Sequence, residues 1–210
     1  MGFAMNNFLY PEQLIFGGEA NDEKIIKLIF NKFKCKKYLF NYKEAELIKI
    51  SINLYLFFSV TYANMMDDLG RKNNIKFSKI LNVLRNDKRI GKYSYIHPSL
   101  GMAGGHLERD SFYFQKINKN HISKKILSQM LKFNYLRKNI LINEIRNTMR
   151  KKKLKILLIG ISYKKESFSL VNSVFSNLIK NKNFQIKFFD DHYDLIQFKK
   201  IDIIKSLKEL

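Results

Sequence analysis

Between Lys43 and Leu69 the chain is apolar on almost every helical face, and this run constrains the fold more than any other segment. A helix of that kind cannot rest on a surface with one side in water; protein must enclose most of it. Its most apolar part, Ile50 to Met66, carries Ser51, Asn53, Ser59, Thr61 and Asn64. That part also stops short of the ~20 residues a membrane span needs. It reads as a buried core or interface helix, and no membrane span is expected.

The rest of the chain divides around this helix. Pro11 and Gly17-Gly18 bracket Leu14-Ile15-Phe16, a turn and a short strand. Asn21-Asp22 can cap a helix over about 23–33, and the aromatic run Lys37 to Tyr42 predicts a strand. A shorter helix is expected near Phe77 to Leu84. A second long one is expected from Asn120 to Met149, with Ile122, Ile126, Met130, Leu136, Ile140 and Leu141 mostly at three- and four-residue spacing. The basic run Arg150-Lys151-Lys152-Lys153 ends it. Strand Leu154–Ile161, helix 170–181 and strand Gln185–Phe189 then predict the start of a β-α-β unit, with Asp190-Asp191 at its end. The expected class is α/β: a mainly α-helical central domain with a long helix, followed by a partial parallel α/β domain.

Composition limits what the chain can bind. With 210 residues and 46% apolar content it can bury one good core or two small ones. The single cysteine, Cys35, cannot form an internal disulfide, which fits a reducing cytoplasm. No basic region followed by an apolar run marks the first residues as a secretory signal. The net charge of +21 favours phosphate-bearing partners in general. Most of it is lysine spread along the chain, abundant beside Ile, Asn and Phe, a pattern that coding bias alone can produce. With no nucleic-acid motif beside it, specific nucleic-acid binding is not expected. His97, His106, His121 and His192 lack paired ligand spacing, so no metal site is expected.

The chemistry concentrates elsewhere. Four of nine glycines and one of two prolines fall between Gly91 and Gly105, in a stretch that ends His106-Leu107-Glu108-Arg109-Asp110. Glycine is kept where backbone needs positive φ or must approach a ligand closely. On composition alone, a built loop over a polar ligand and a chance surface cluster are equally supported. Lys49 and Asn53 sit four apart on the long helix and so share a face. An ammonium and an amide converging on one point can stabilise an alkoxide. The alternative is a lysine reaching for water with Asn53 bonded in the core.

Four blocks in order resemble the UDP-glucose/GDP-mannose dehydrogenase family. They are Ala45-Glu46-Leu47-Ile48-Lys49 with Asn53; Asp87-x-Arg89-Ile90-Gly91 followed by Tyr95-x-x-Pro98-Ser99-x-Gly101; the run Gly101 to Asp110; and Ile156 to Lys164. The third is similar to the family's loop G-x-G-G-x-C-x-x-K-D, with Ala103 at the second glycine. By that resemblance Lys49, Asn53, His106 and Asp110 stand at catalytic positions, with Asp110 positioning or deprotonating the water and lysine. Arg89, Tyr95, Gly101, Gly104, Gly105 and Lys164 stand at substrate-binding ones. Arg89 is similar to an arginine that reaches across a dimer toward the partner's sugar nucleotide.

Departures from the pattern set the expected chemistry. His106 replaces the nucleophilic cysteine and Arg109 the lysine; Asn64-Met65 stands for an Asn-Glu pair. Ser169, Val171 and Val174 replace an aspartate, an arginine and a proline. Imidazole can serve as acid or base but does not form the thioester that splits the family's second oxidation. The resemblance thus implies NAD-dependent oxidation of a sugar nucleotide for polysaccharide synthesis, limited here to one two-electron step. His106 is equally readable as a loop histidine with no catalytic part. The chain has no G-x-G-x-x-G fingerprint. The resemblance therefore divides it into 1–42, a remnant of the end of the NAD-binding domain; 43–150, the central domain; and 151–210, a partial sugar-nucleotide-binding domain. Two readings follow: a truncated or split cytoplasmic dehydrogenase, or a non-catalytic binding or dimerisation module. Implied partners are a sugar nucleotide, a second copy paired through helix 43–69, and a separate Rossmann-domain polypeptide.

Overall fold

A computed structural model describes residues 4–151, 156–160, 172–175 and 186–189. The chain forms two compact units that divide between Asn53 and Leu54, within one continuous helix. In the first unit, helix α1 (Ala4–Leu9) precedes strand β1 (Gln13–Gly17), a short 3-10 turn (Ala20–Asp22), helix α2 (Glu23–Ile29) and strand β2 (Lys36–Phe40). The two strands pair in parallel, Gln13 opposite Lys36 through Gly17 opposite Phe40. Parallel pairing requires a crossover, and α2 supplies it. Aromatic rings fill the space beneath: Phe16 lies 4.9 Å from Phe30, which lies 5.8 Å from Phe33.

Helix α3 (Tyr42–Lys72) starts on a reciprocal cap. Glu44 N–H donates to Asn41 Oδ1 at 2.9 Å, and Asn41 N–H donates to Glu44 Oε2 at 3.1 Å. It ends where Ile75 N–H reaches back to the Gly70 carbonyl at 2.8 Å, with Asn74 at φ 57° carrying the reversal. A Cβ on residue 70 would lie 2.6 Å from the Ile75 oxygen, so this turn needs glycine there.

In the second unit, the remainder of α3 packs with α4 (Ser78–Asn86), α5 (His106–Ile117) and α6 (His121–Lys151). Phe57, Val60, Met102, Leu127 and Met130 form one buried cluster; Ala63, Phe77, Leu81 and Ile96 form the other. The loop between α4 and α5 is thus nailed down twice, by Ile96 in one cluster and Met102 in the other. Strands β3 (Ile156–Ile159) and β4 (Ile186–Phe189) pair in parallel as the sequence suggested. The expected helix 170–181 and the Asp190-Asp191 pair lie largely or wholly outside the described residues. Among the described residues no helix is long and apolar enough to cross a membrane.

Two elements depart from the sequence reading. The short helix α1 was not expected. Residues 101–110, read as one loop, break at His106, where α5 begins. The glycines form the loop; His106, Arg109 and Asp110 ride on the first turns of a helix.

Candidate active-site loop

The backbone from Gly91 to Gly105 uses its glycines for conformation. Gly91, Gly101 and Gly104 hold φ of 88°, 127° and 83°. A Cβ at Gly101 would also lie 2.5 Å from Lys138 Cγ, so neither its conformation nor its surroundings admit a side chain.

Polar side chains from α3 and α6 then grip the loop. Ser99 N–H donates to Asn64 Oδ1 at 2.7 Å, and the Ser99 carbonyl accepts from Arg137 Nε at 2.6 Å. Met102 N–H donates to Asn134 Oδ1 at 2.6 Å. The Asn134 Nδ2 donates to Glu108 Oε1 at 2.9 Å, and Lys138 Nζ donates to the same oxygen at 2.9 Å. Asn172 Nδ2 reaches both the Gly104 carbonyl, at 3.1 Å, and Glu108 Oε2, at 2.6 Å. Arg137 is only 5% exposed and spreads its guanidinium over Asp67, Asp68, the Asn64 carbonyl and Ser99. A buried cation is tolerable on these terms, since both carboxylates and two carbonyls take its protons.

The residues singled out from sequence fall into three groups. Gly101, Gly104, Gly105, His106 and Asp110 come together at the loop–helix junction. There His106 is the exposed first residue of α5, while Asp110 is buried and accepts from Arg109 Nε at 2.9 Å. Tyr95 is exposed, and the Arg89 guanidinium is held by Asp87 through Nε at 3.0 Å and Nη2 at 2.6 Å. That fork draws the Asp87 carboxyl below the ordinary carboxylate range, with the Arg89 backbone N–H adding to it, and raises Arg89 in turn. Lys49 and Asn53 lie in the first unit, the lysine exposed and the amide buried. Lys164 lies outside the described residues.

Glu108, Asn134, Arg137, Lys138 and Asn172 were missed. Asn134 and Arg137 continue the three- and four-residue spacing of Leu127 and Met130 on α6. Polar residues interrupting a buried apolar stripe were the available signal.

The turn after β1 tests whether the described residues could hold a dinucleotide, because a strand–glycine–helix sequence is the usual pyrophosphate cradle. Here a Cβ on Gly18 would meet Asp22 Oδ2 at 2.6 Å, and Glu19 N–H donates to that same oxygen at 2.8 Å. A carboxylate of the chain already takes the N–H a phosphate would need, and its charge repels one. This turn does not fit the cofactor.

The second unit is thus a mainly helical domain whose glycine loop is clamped beside the start of a helix. Residues 43–135 match the UDP-glucose/GDP-mannose dehydrogenase family, central domain. A UDP-glucose 6-dehydrogenase of Campylobacter jejuni is 30% identical over 97% of the chain and 52% of the relative. One of Rickettsia bellii is 26% identical over 90% of the chain and 46% of the relative. The chain thus spans about half the length of the curated relatives it matches. The fold is that of a UDP-glucose dehydrogenase of Pyrobaculum islandicum, with a TM-score of 0.81 at 17% identity, covering 97% of this chain and 49% of that one. It is also that of an NDP-N-acetyl-D-galactosaminuronic acid dehydrogenase of Methanosarcina mazei, with a TM-score of 0.78 at 15% identity, covering 100% of this chain and 48% of that one.

Proposed function

We propose that this chain is the substrate-side part of a nucleotide-sugar dehydrogenase, serving NAD-dependent oxidation of a UDP- or GDP-sugar in cytoplasmic polysaccharide biosynthesis. The observation that carries this reading is the family match over residues 43–135, which takes in Lys49, Asn53, Arg89, Tyr95 and the loop from Gly101 to Asp110. In this reading residues 1–42, 43–150 and 151–210 are the end of a cofactor domain, the central domain and part of a sugar-nucleotide domain. NAD is then held by a Rossmann domain that lies outside the described residues.

Lys49 and Asn53 supply an ammonium and an amide to a developing alkoxide. Asp110 orders the water and amine around it. Arg89 offers a fork suited to phosphate once Asp87 yields it, and the loop glycines with Tyr95 and Lys164 wall the sugar. His106 sets the outcome. Without a thiolate the aldehyde cannot be carried through a thioester, so the reaction stops after two electrons or runs in reverse.

Helix α3 supports pairing with a second copy. Tyr55, Phe58, Tyr62, Met65 and Leu69 are all exposed, at alternating three- and four-residue steps. They form a stripe about 21 Å long at 1.5 Å per residue. That spacing is the seam of two helices packed side by side.

A second reading, a non-catalytic sugar-nucleotide-binding or dimerisation module, is favoured by His106 and by Val171 at the family's arginine position. Titration calorimetry with UDP-glucose, with and without NAD, joined to NADH absorbance and product analysis, separates the two. The enzyme reading expects NADH and a two-electron product once a Rossmann domain is present, and acid product only from His106→Cys. Sugar-nucleotide binding with no NADH under any condition favours the module. Four-electron product from the unaltered protein refutes the role given to His106.

A further inference from the structure

The loop is held by side chains to which neither family motif nor functional reading gives a part. Asn134 is 2% exposed and spends both ends of its amide: the oxygen on Met102 N–H at 2.6 Å, the nitrogen on Glu108 at 2.9 Å. Glu108 lies in the first turn of α5, between His106 and Asp110. One planar amide therefore fixes the glycine loop and the helix start in a single register. A side-chain amide accepts through its oxygen and donates through its nitrogen, so one rigid group serves both bonds. Glu108 in turn receives Lys138 on the same oxygen and Asn172 on the other. Asn172 also holds the Gly104 carbonyl.

We propose that Asn134 and Glu108 are positioning residues: their hydrogen bond locks the Gly101–Gly105 backbone against the start of α5, so the loop meets its ligand already in its binding shape. Preorganisation of this kind lowers the ordering cost of binding and leaves the number of ligand contacts unchanged. The ligand part of the inference rests on the sugar-nucleotide reading above; the lock does not.

The test exploits polarity. Asn134→Asp keeps the acceptor for Met102 but faces Glu108 with a second carboxylate. Adding Glu108→Gln restores one donor and one acceptor across the pair. In the full-length protein, amide exchange of Met102 to Gly105 should rise about tenfold in Asn134→Asp, the loss of one buried hydrogen bond, and return in the double variant. Asn172→Ala, at an exposed position that cannot unfold the core, should raise exchange at the same amides by a smaller factor. Exchange that stays at the parent value, that rises equally along all of α6, or that the double variant fails to restore overturns the lock. Affinity for UDP-glucose should fall and recover in step with exchange; affinity that does not follow overturns the preorganising role. If the parent protein binds no sugar nucleotide, the functional reading falls, and the exchange measurements still decide the lock.

Discussion

Arg137 Nε donates to the carbonyl of Ser99 at 2.6 Å, while its two terminal nitrogens engage Asp67 and Asp68 on α3. One side chain thereby ties the second long helix to the first and to the mouth of the glycine loop.

Arg137→Met should destabilise the second unit by about 2–4 kcal/mol, because Asp68 loses its cation and Asp67 keeps only the exposed Arg71. Urea unfolding followed by circular dichroism measures it. Arg137→Lys keeps the charge without the fork and should fall between parent and Met. A Met variant as stable as the parent would show that the network contributes nothing net.

Glycine-to-alanine changes should separate strain from crowding. Gly91 and Gly101 both hold positive φ, but a Cβ at Gly91 meets nothing within 4 Å, whereas at Gly101 it meets Lys138 Cγ at 2.5 Å. Gly91→Ala should cost about 1 kcal/mol, from backbone strain alone. Gly101→Ala should cost about 2–4 kcal/mol and shift resonances of α6 as Lys138 moves. Equal costs at the two sites would contradict the crowding seen here.

The pair Asp87–Arg89 should be visible in a carboxyl titration. Arg89 lowers the Asp87 pKa through its side chain first and its backbone N–H second. A depressed carboxyl holds its loop above the ordinary carboxylate pKa, and that hold is lost as pH falls through its own lower value. Carbon-13 NMR should place the Asp87 midpoint below that of a model peptide. Arg89→Gln should move it upward, and a midpoint insensitive to that change would remove the fork as its cause.

Substituting Phe58→Glu together with Tyr62→Glu should break the proposed pairing through α3. Sedimentation velocity should give a dimer for the parent and a monomer for the variant, with helical content preserved. A parent that sediments as a monomer at every concentration would refute the pairing.

The long helices were legible because each carries its apolar spacing through many turns, which chance rarely sustains. Helix α5 was not. Its N-cap is Gly105, which makes no side-chain cap bond, so nothing in the sequence separates the glycine loop from the helix that follows. The motif residues could be named from their order, but the polar clamp could not. Asn64 and Asn134 interrupt apolar stripes, but a stripe does not say what its amides meet, and only the packing of α3 beside α6 turns them into loop anchors.

Over its second half, α3 is apolar on two faces: Phe57, Val60 and Ala63 lie in the core beside Thr61 and Asn64, while Tyr55, Phe58 and Tyr62 face outward. A lone copy therefore completes its fold with a long hydrophobic stripe still wet. In the proposed pairing that surface dries only on encounter, so protein concentration becomes a variable of thermal stability, and dilution acts on this molecule as a mild denaturant.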